Sequence, residues 1–283
     1  MWVIFAVLSA IVFGIASVIM KAGTEKKLSD YHILWGLYLS GSLFFLVTLS
    51  ESPSYNPRLL IASMLIAIGS FFGNYFVIKA LESGPASLTA PMLNLNLPLI
   101  IFMSIIFYGE SLTIIKTIII ILLLIAIILV KFDPNEDMSI KDKRWLLWVF
   151  SGALFLFLRE GGLKITLEMG LNNKLVLLYS YIICLVISTL YLINRKRLSF
   201  INNKLHLQAV RYGLLAGICS GGGLFLYSKA LNLGPTSIVA LIFSARSMVI
   251  IFLTMLLFKE KLSPFQKISV SLLCIGISLA SFI

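Results

Sequence analysis

The sequence predicts an all-α polytopic membrane protein with ten transmembrane helices, arranged as two inverted five-helix repeats. Composition, the length of the apolar segments and an internal repeat lead to this prediction. Of the 283 residues, 59% are hydrophobic and 12% are charged, and the mean hydropathy is +1.02. Soluble domains are about 45–50% apolar and about 25% charged. The chain is therefore too apolar for a soluble globular protein.

The apolar residues form ten segments, each long enough to cross a bilayer as a helix of about 20 residues. The first segment is longer than the apolar core of a typical signal peptide and has no basic stretch before it, so we expect it to be retained. The segments cover roughly 2–22, 31–50, 59–81, 86–108, 113–131, 145–165, 175–194, 207–231, 236–258 and 264–283.

An internal repeat relates the two halves of the chain at an offset of 150 residues. Gly73–Ala90 aligns without a gap on Gly223–Ala240, and both contain Lys-Ala-Leu, two further residues and then Gly-Pro-x-Ser. The same offset places Glu110 on Glu260. Shared hydrophobicity does not explain a match that includes Lys, Gly-Pro, Ser and Glu. The pattern indicates a duplicated unit, and each Gly-Pro predicts a tight turn between two long helices.

The longest polar stretch, KFDPNEDMSIKDKR at 131–144, separates five apolar segments from the other five. We therefore predict a first repeat at 1–131, a linker at 132–144 and a second repeat at 145–283. Because five is an odd number, two copies of one unit must cross the membrane in opposite directions. Many secondary transporters have this inverted arrangement.

Several of these features together resemble one family. They include Lys21 near the end of the first segment, with a possible counterpart in Lys164, and the paired Gly-Pro turns. They also include Gly-Glu-x-Leu at Gly109–Leu112 and Lys-Glu-x-Leu at Lys259–Leu262. The whole chain resembles the ten-helix EamA-type branch of the drug/metabolite transporter superfamily. The resemblance implies alternating access around a central cavity, for export of amino acids or other metabolites or for exchange of phosphorylated or nucleotide sugars. It implies no catalytic residues.

The cations in the loops give an orientation that conflicts with this resemblance. The side that holds the termini has only Arg58 and Lys174, and the positive-inside rule would place that side outside the cytoplasm. The resemblance implies cytoplasmic termini, so both orientations stay open. The opposite side has Lys26, Lys27, Lys131, Lys141, Lys143, Arg144, Arg195, Lys196, Arg197, Lys204, Lys259 and Lys261.

Three charged residues lie well inside apolar segments, where a charge costs about 2.5–3.5 kcal/mol on insertion scales. Arg246 is near the middle of the ninth segment, and Arg159 and Glu160 are in the sixth. One interpretation is a structural ion pair of Glu160 with either arginine or with Lys164. The other is that Arg246 faces a cavity and binds an anionic group, because its planar fork matches carboxylate and phosphate. Glu160 is also the candidate proton carrier, because burial disfavours its charge.

The fourth segment has a proline that predicts a kink beside polar side chains. Pro98 has no N–H for the carbonyl of Asn94, and such a break at mid-membrane depth can serve binding or packing. At the offset of 150, Asn94 and Asn96 correspond to Ser244 and Arg246, and we expect at most one of the two asparagines to face the cavity. Further candidate substrate-binding residues, with a weaker signal, are Asn74, Tyr75 and Tyr227.

The repeated hairpins hold most of the small residues, helix breaks and buried polar groups. We therefore expect the third, fourth, eighth and ninth segments to line the central cavity, with the first and sixth closing over it. The sequence contains no clustered metal ligands and no nucleotide-binding loop, so we expect no metal and no cofactor. The net charge of +11 comes mainly from short loops beside the apolar segments, which indicates control of topology rather than nucleic-acid binding.

The function predicted from the sequence is secondary active transport, by alternating access, of a small polar or anionic metabolite such as an amino acid, an organic acid or a phosphorylated compound. Without an ATP-binding motif, the energy would come from a gradient or from exchange. We expect a non-enzymatic multi-pass protein of the plasma or inner membrane, as a monomer or homodimer. The alternatives are a non-transporting membrane partner or assembly protein, and a membrane-embedded enzyme for lipid-linked substrates.

Overall fold

The computed structural model describes residues 1–49, 56–111, 142–194 and 204–259, with further single or paired positions at 113–114, 117–118, 121–122, 125, 140, 264–265, 267–268, 271–272 and 275. Within these ranges the regular secondary structure is entirely helical. Most of the predicted fifth and tenth segments and of the linker lies outside the described residues, as does Glu260.

The structure gives bounds for ten α-helices among the described residues. They are α1 (Trp2–Glu25), α2 (Asp30–Thr48), α3 (Pro57–Ser83), α4 (Ala86–Met92), α5 (Asn96–Tyr108), α6 (Trp145–Glu168), α7 (Asn173–Asn194), α8 (Lys204–Leu233), α9 (Thr236–Ser244) and α10 (Arg246–Phe258). Because α4 with α5 and α9 with α10 each form one broken span, the described residues contain eight helices long and apolar enough to cross a membrane. These eight coincide with eight of the ten predicted segments.

The two Gly-Pro motifs form the predicted tight hairpins. Gly84 follows α3 in an extended conformation, with φ −148° and ψ 173°, and α4 begins directly after Pro85. In the second copy α9 begins directly after Pro235 in the same way. Proline disfavours a helical conformation at the residue before it, and its missing N–H costs nothing at a helix start. Each motif therefore ends one helix and begins the next with almost no loop.

Both copies of the second hairpin helix are broken at equivalent places. A 3-10 turn at Leu93–Leu95 joins α4 to α5, as the missing N–H of Pro98 predicts. The second copy breaks at Ala245, between α9 and α10, although it has no proline there. The second break is therefore set by tertiary packing, because no local signal in the sequence accounts for it.

The repeated glutamate of the first half anchors the hairpin of the second half. The Glu110 carboxylate accepts hydrogen bonds from the N–H of Thr236 at 2.7 Å and from the N–H of Ser237 at 3.2 Å. These N–H groups lie in the first turn of α9, where they lack partners within the helix. A carboxylate at a helix N-terminus is also favoured by the helix dipole. Glu110 thus fixes where helix α9 begins.

Helices of one half pack mainly on helices of the other. α1 and α2 pack on α8, and α3 packs on α6 and α7. Trp145 at the start of α6 lies against Gly84, where an added Cβ would be 2.6 Å from the indole nitrogen. Likewise Trp2 at the start of α1 lies against Gly234, where an added Cβ would be 2.6 Å from the ring. Each tryptophan covers the Gly-Pro turn of the opposite half.

Packing between the halves shows a second offset that the repeat at 150 does not contain. Trp2 and Trp145 are 143 positions apart, although the glycines they cover are 150 apart. Tyr38 and Tyr181, also 143 apart, make matching contacts with residues 150 apart. The Tyr38 hydroxyl donates to the Ser70 carbonyl at 2.8 Å, and the Tyr181 hydroxyl lies 2.9 Å from the Ser220 hydroxyl. The seven-residue difference hides the equivalence of α1–α2 and α6–α7 in the sequence.

The surface of the described bundle is apolar, and many of its polar side chains are inside. Val47, Ile106 and Phe107 are 83%, 72% and 74% exposed. Ser63 and Ser104 are fully buried and donate to carbonyls of their own helices, at 2.7 Å and 2.8 Å. Such a surface is stable in lipid, where large apolar side chains face hydrocarbon and polar groups must be satisfied internally.

Candidate functional site

A buried cluster of three charges lies where α6 meets α10. Arg246 donates to both carboxylate oxygens of Glu160, at 2.6 Å from Nη1 and 3.4 Å from Nη2. Arg159 donates to the same carboxylate from Nη2 at 3.0 Å. All three side chains are buried. Two guanidinium groups therefore share one carboxylate, and the cluster has one positive charge in excess.

This geometry decides between the ion pairs left open by the sequence. Glu160 pairs with both arginines, whereas Lys164 pairs with Glu168, with Nζ and Oε1 2.6 Å apart. The contacts of Glu160 all favour its charged form, because cations and hydrogen-bond donors stabilise a carboxylate. In this conformation Glu160 is thus the anchor of an ion cluster.

Two asparagines predicted as site residues join the cluster. The Asn96 amide donates to Oε2 of Glu160 at 2.6 Å. The Asn74 carbonyl oxygen accepts from Nη1 of Arg159 at 3.3 Å, and its amide donates to the Tyr38 hydroxyl at 3.2 Å. Hydrogen bonds of this kind fix the orientation of the guanidinium and carboxylate planes. Helices α3 and α5 therefore contribute side chains to the same site as α6 and α10.

Aromatic rings hold the two guanidinium groups in place. The Arg246 guanidinium lies 4.3 Å from the centre of the Phe243 ring and 5.4 Å from that of Phe13. The Arg159 guanidinium lies 5.0 Å from the Phe13 ring. Cation–π contacts of buried guanidinium groups contribute about 2 kcal/mol when desolvated. Tyr227 packs against Phe243 with ring centres 4.4 Å apart, next to the cluster.

Several polar atoms in and around the cluster are buried without a hydrogen-bond partner among the described residues. They are Nε of Arg159, the side-chain oxygens of Asn94 and Asn96, and the Tyr227 hydroxyl. An unsatisfied buried polar group costs about 1–3 kcal/mol. The Arg159 Nε–H and the Tyr227 hydroxyl can donate to an anion, whereas the two asparagine oxygens can only accept. The two donors and the excess cation leave the site able to accept a polar, negatively charged group.

The cavity beside Arg246 is small. Its volume is about 20 Å³, enough for about one water molecule and too little for a metabolite. It is lined by the first, third, fourth, sixth and ninth predicted segments and not by the eighth, so the expected lining of a metabolite-sized cavity stays a prediction. The lining residues are Phe13, Ser17, Met20, Asn74, Val77, Ala90, Leu93, Leu156, Arg246 and Ile250.

The remaining predicted residues do not join the cluster directly. The Asn94 amide donates to the Ser247 hydroxyl at 3.1 Å and to the Ser244 carbonyl at 3.4 Å, so it links the two helix breaks. The Ser244 hydroxyl donates within its own helix, to the Leu241 carbonyl at 2.6 Å. The Tyr75 ring packs 5.8 Å from that of Tyr31, centre to centre.

Tyr38 and Phe13 were missed from the sequence although they shape the site. Tyr38 is fully buried in α2 and orients Asn74, and Phe13 contacts both guanidinium groups. A tyrosine in the middle of an apolar segment was a usable signal, because its hydroxyl needs a partner when buried. Phe13 had no such signal, since phenylalanine is common throughout apolar segments.

A profile of the EamA-like transporter family matches residues 1–132 and 143–282 of the chain. The chain belongs to the EamA-like transporter family. No curated protein matches it. One solved structure, described only as the crystal structure of a protein, covers 97% of this EamA-like chain and 96% of its own, with a TM-score of 0.69 and 14% sequence identity. At that identity the likeness concerns the fold alone.

Membership in this family agrees with a structure made of long apolar helices. EamA-like proteins are generally transporters rather than enzymes, and the eight long apolar helices make this chain a multi-pass membrane protein. In the part of the chain that the structure describes, no group of three or more His, Cys, Asp or Glu side chains could hold a metal ion.

Proposed function

We propose that this EamA-like protein is a secondary active transporter, in the plasma or inner membrane, for a small metabolite that carries a carboxylate or phosphate group. Amino acids, organic acids and phosphorylated compounds have this chemistry. The observation that supports the proposal is the excess cation in the buried cluster of Arg159, Glu160 and Arg246. An uncompensated buried charge is costly, and an anionic group of the substrate would neutralise it.

In the proposed mechanism Glu160 holds Arg246 when no substrate is present. The carboxylate or phosphate of an entering substrate replaces Glu160 as the partner of one guanidinium group. Glu160 stays paired with the other guanidinium group. The Nε–H of Arg159, which is unpartnered among the described residues, supplies a donor for the second oxygen of the anion. Planar guanidinium groups bind such anions with two parallel hydrogen bonds. Because the cavity is only about 20 Å³, binding requires the surrounding helices to separate.

We further propose that residues 1–131 and 145–283 form inverted five-helix repeats about a pseudo-two-fold axis. Under a two-fold axis, a residue touches its own equivalent only where it lies on the axis. Two such pairs support this. The Tyr38 and Tyr181 rings meet edge to face with centres 5.5 Å apart, and the Asn94 amide lies 3.4 Å from the Ser244 carbonyl. The ten-helix count is part of this proposal.

A difference between the two ends of α1 supports alternating access. Trp2 lies at the Gly234 turn, and Lys21 lies at the Gly84 turn. We call these two ends the Gly234 end and the Gly84 end. At the Gly84 end, Lys21 Nζ donates to the carbonyls of Leu81 at 2.8 Å and Gly84 at 3.2 Å, which ties α1 to α3.

The Gly234 end has no matching lysine hydrogen bond between helices among the described residues. Lys164 is 143 positions after Lys21, and its ammonium contacts Glu168 on its own helix and the ring of Tyr108. A lysine bridge at the Gly84 end that the Gly234 end lacks is the kind of asymmetry expected of a single state in an alternating-access cycle.

The experiment that tests transport begins with the purified full chain in detergent. We expect carboxylates or phosphates to raise the melting temperature and neutral or cationic compounds to have no effect, because only anions neutralise the cluster. A stabilising compound is then tested for counterflow in reconstituted vesicles, with Arg246→Ala as the inactive control. Stabilisation by cations alone, or counterflow that Arg246→Ala leaves intact, would contradict the proposal. Stabilisation without counterflow would favour a non-transporting role.

A further inference from the structure

A second cavity, separate from the charge cluster, opens at the Gly234 end. Its volume is about 570 Å³, within the range of small-molecule sites. The loop between α6 and α7 forms one wall, and the last turns of α8 form the other. None of its lining residues lines the cavity beside Arg246. We call it the vestibule. Its polar lining residues are Asn172, Asn173, Lys174, Ser228, Lys229 and Asn232.

The vestibule has two cations, and no carboxylate lines it among the described residues. The ammonium groups of Lys229 and Lys174 lie 4.5 Å and 5.4 Å from the centre of the same ring, that of Phe225. The acidic residue nearest in the chain is Glu168, and it pairs with Lys164 at 2.6 Å. Cations over an aromatic ring are only weakly stabilised at exposed sites, by about 0.5–1 kcal/mol. Both lysines can therefore still bind an anion.

The first half of the chain shows how the equivalent lysine is neutralised. Lys79 pairs with Asp30, with nitrogen and oxygen 2.5 Å apart, and with Glu82 at 2.9 Å. Asp30 begins α2 and Glu82 lies one turn after Lys79 on α3. Two carboxylates thus hold this ammonium at the Gly84 end, and both come from the protein.

Asparagines stand at the places of both carboxylates in the second half. Lys229 and Asn232 are 150 positions after Lys79 and Glu82, and Asn173 is 143 positions after Asp30. These are the two offsets that relate the halves in the fold.

The asparagines cannot neutralise a lysine, and one of them is already engaged. Asn173 bonds to α6, where its amide donates to the Leu163 carbonyl at 2.8 Å and its oxygen accepts from the Thr166 hydroxyl at 2.5 Å. In the first half two carboxylates surround Lys79. In the second half two neutral asparagines and a cavity lie beside the equivalent Lys229.

We infer that the vestibule binds an anion with a carboxylate or phosphate group between Lys174 and Lys229. The anion takes the place that the two carboxylates occupy in the first half. The Asn232 amide and the Ser228 hydroxyl, which also line the cavity, can donate to its remaining oxygens. This is a site apart from Arg246, and its occupation does not depend on transport.

The first test measures protection of single lysines. The purified full chain is treated with an amine-reactive reagent in the presence of succinate or inorganic phosphate, and modification is followed by mass spectrometry. We expect about tenfold slower modification of Lys174 and Lys229, because the bound anion is in direct contact with both. The exposed Lys26, whose ammonium lies 5.0 Å from the Tyr212 ring, is the matched reference and should not change. Equal protection of all three, or of none, would overturn the inference.

The second test restores the carboxylate of the first half. Asn232→Glu places an acid three residues after Lys229, as Glu82 stands to Lys79, and should weaken binding of succinate or phosphate about tenfold. Glu82→Gln is the control and should leave binding unchanged. Unaltered binding by the Asn232→Glu variant would contradict the proposed site.

Further variants separate this site from the one at Arg246. Lys229→Met should abolish protection of Lys174, whereas Lys229→Arg should keep it and shows that the fold is intact. Arg246→Ala should leave protection at Lys174 and Lys229 unchanged. If Arg246→Ala removes the protection and Lys229→Met does not, the anion binds only at the charge cluster. The vestibule inference then fails and the proposed transport function stands.

Discussion

At the scale of single residues, the centre of this EamA-like protein depends on one carboxylate. Glu160 is 1% exposed and accepts hydrogen bonds from two arginines and one asparagine. Each arginine alone would be an isolated buried charge. Removing the shared partner therefore costs more than removing either arginine, because it leaves two cations uncompensated.

We predict that Glu160→Gln destabilises the protein by about 3–5 kcal/mol, the cost of breaking a buried ion pair. Glutamine keeps the shape of the side chain, so the loss reports on charge. Thermal unfolding in detergent measures it. The double variant Glu160→Gln with Arg159→Met should recover part of the loss, because it removes one of the unpaired cations. A melting temperature for Glu160→Gln equal to that of the native protein would show that the arginines are solvated.

We predict that Arg246→Lys lowers transport at least about tenfold while the protein still folds, because lysine keeps the charge but loses the two parallel hydrogen bonds. Counterflow in vesicles and the melting temperature give the two measurements. Lys26→Met, which removes a cation from an exposed loop, is the control and should transport normally. Full activity of Arg246→Lys would argue that the fork of donors has no part in binding.

At the scale of elements, each Gly-Pro hairpin packs tightly against a tryptophan of the other half. Trp145 covers the first turn and Trp2 covers the second. Gly84 has an extended conformation that any residue can adopt, so its identity is not a matter of backbone freedom. What requires glycine is the close approach of the indole ring.

We predict that Gly84→Ala destabilises the protein by about 1–3 kcal/mol through overpacking, since the new methyl group would lie 2.6 Å from the Trp145 indole nitrogen. The additional substitution Trp145→Leu should restore part of the stability by making room. Gly222→Ala is the matched control, because its nearest neighbour would be 3.8 Å away. Thermal unfolding compares the variants. Equal losses for the two alanine variants would rule out the steric explanation.

At the scale of the whole molecule, the ends of the bundle differ in charge and in closure. The Gly84 end is closed by the bonds of Lys21 and holds most of the loop cations, whereas the Gly234 end contains the vestibule. The positive-inside rule would make the closed Gly84 end cytoplasmic. The vestibule would then face the outside.

We predict that, in intact cells, a membrane-impermeant maleimide labels Met169→Cys and leaves Lys26→Cys unlabelled. Both positions are exposed, at the Gly234 end and the Gly84 end respectively. The background is a variant without the native cysteines, and permeabilised cells give the full labelling of both sites. The opposite pattern would place the termini in the cytoplasm, as the resemblance to the drug/metabolite transporter superfamily implies.

The sequence by itself determined the class, the family and the eight described spans. These follow from local properties: about 20 apolar residues are needed to cross a bilayer, and Gly-Pro ends a helix wherever it occurs. The repeat at 150 was visible because Lys, Gly-Pro and Glu recur there. Of the equivalence at 143 only the pair Lys21 and Lys164 gave a sign, because α1–α2 and α6–α7 share few residues beyond the apolar ones.

Only the tertiary structure decided which charges meet. Arg246 is 86 positions from Glu160, so their contact depends on how the tertiary structure places α6 and α10 rather than on any spacing in the chain. The break at Ala245 and the small volume beside Arg246 have the same origin, because both are set by packing between helices. The vestibule too became visible only when Asn173, Lys229 and Asn232 were brought together from two helices. Length and hydropathy are summed along the chain, but charge pairing and cavities depend on distances between distant residues.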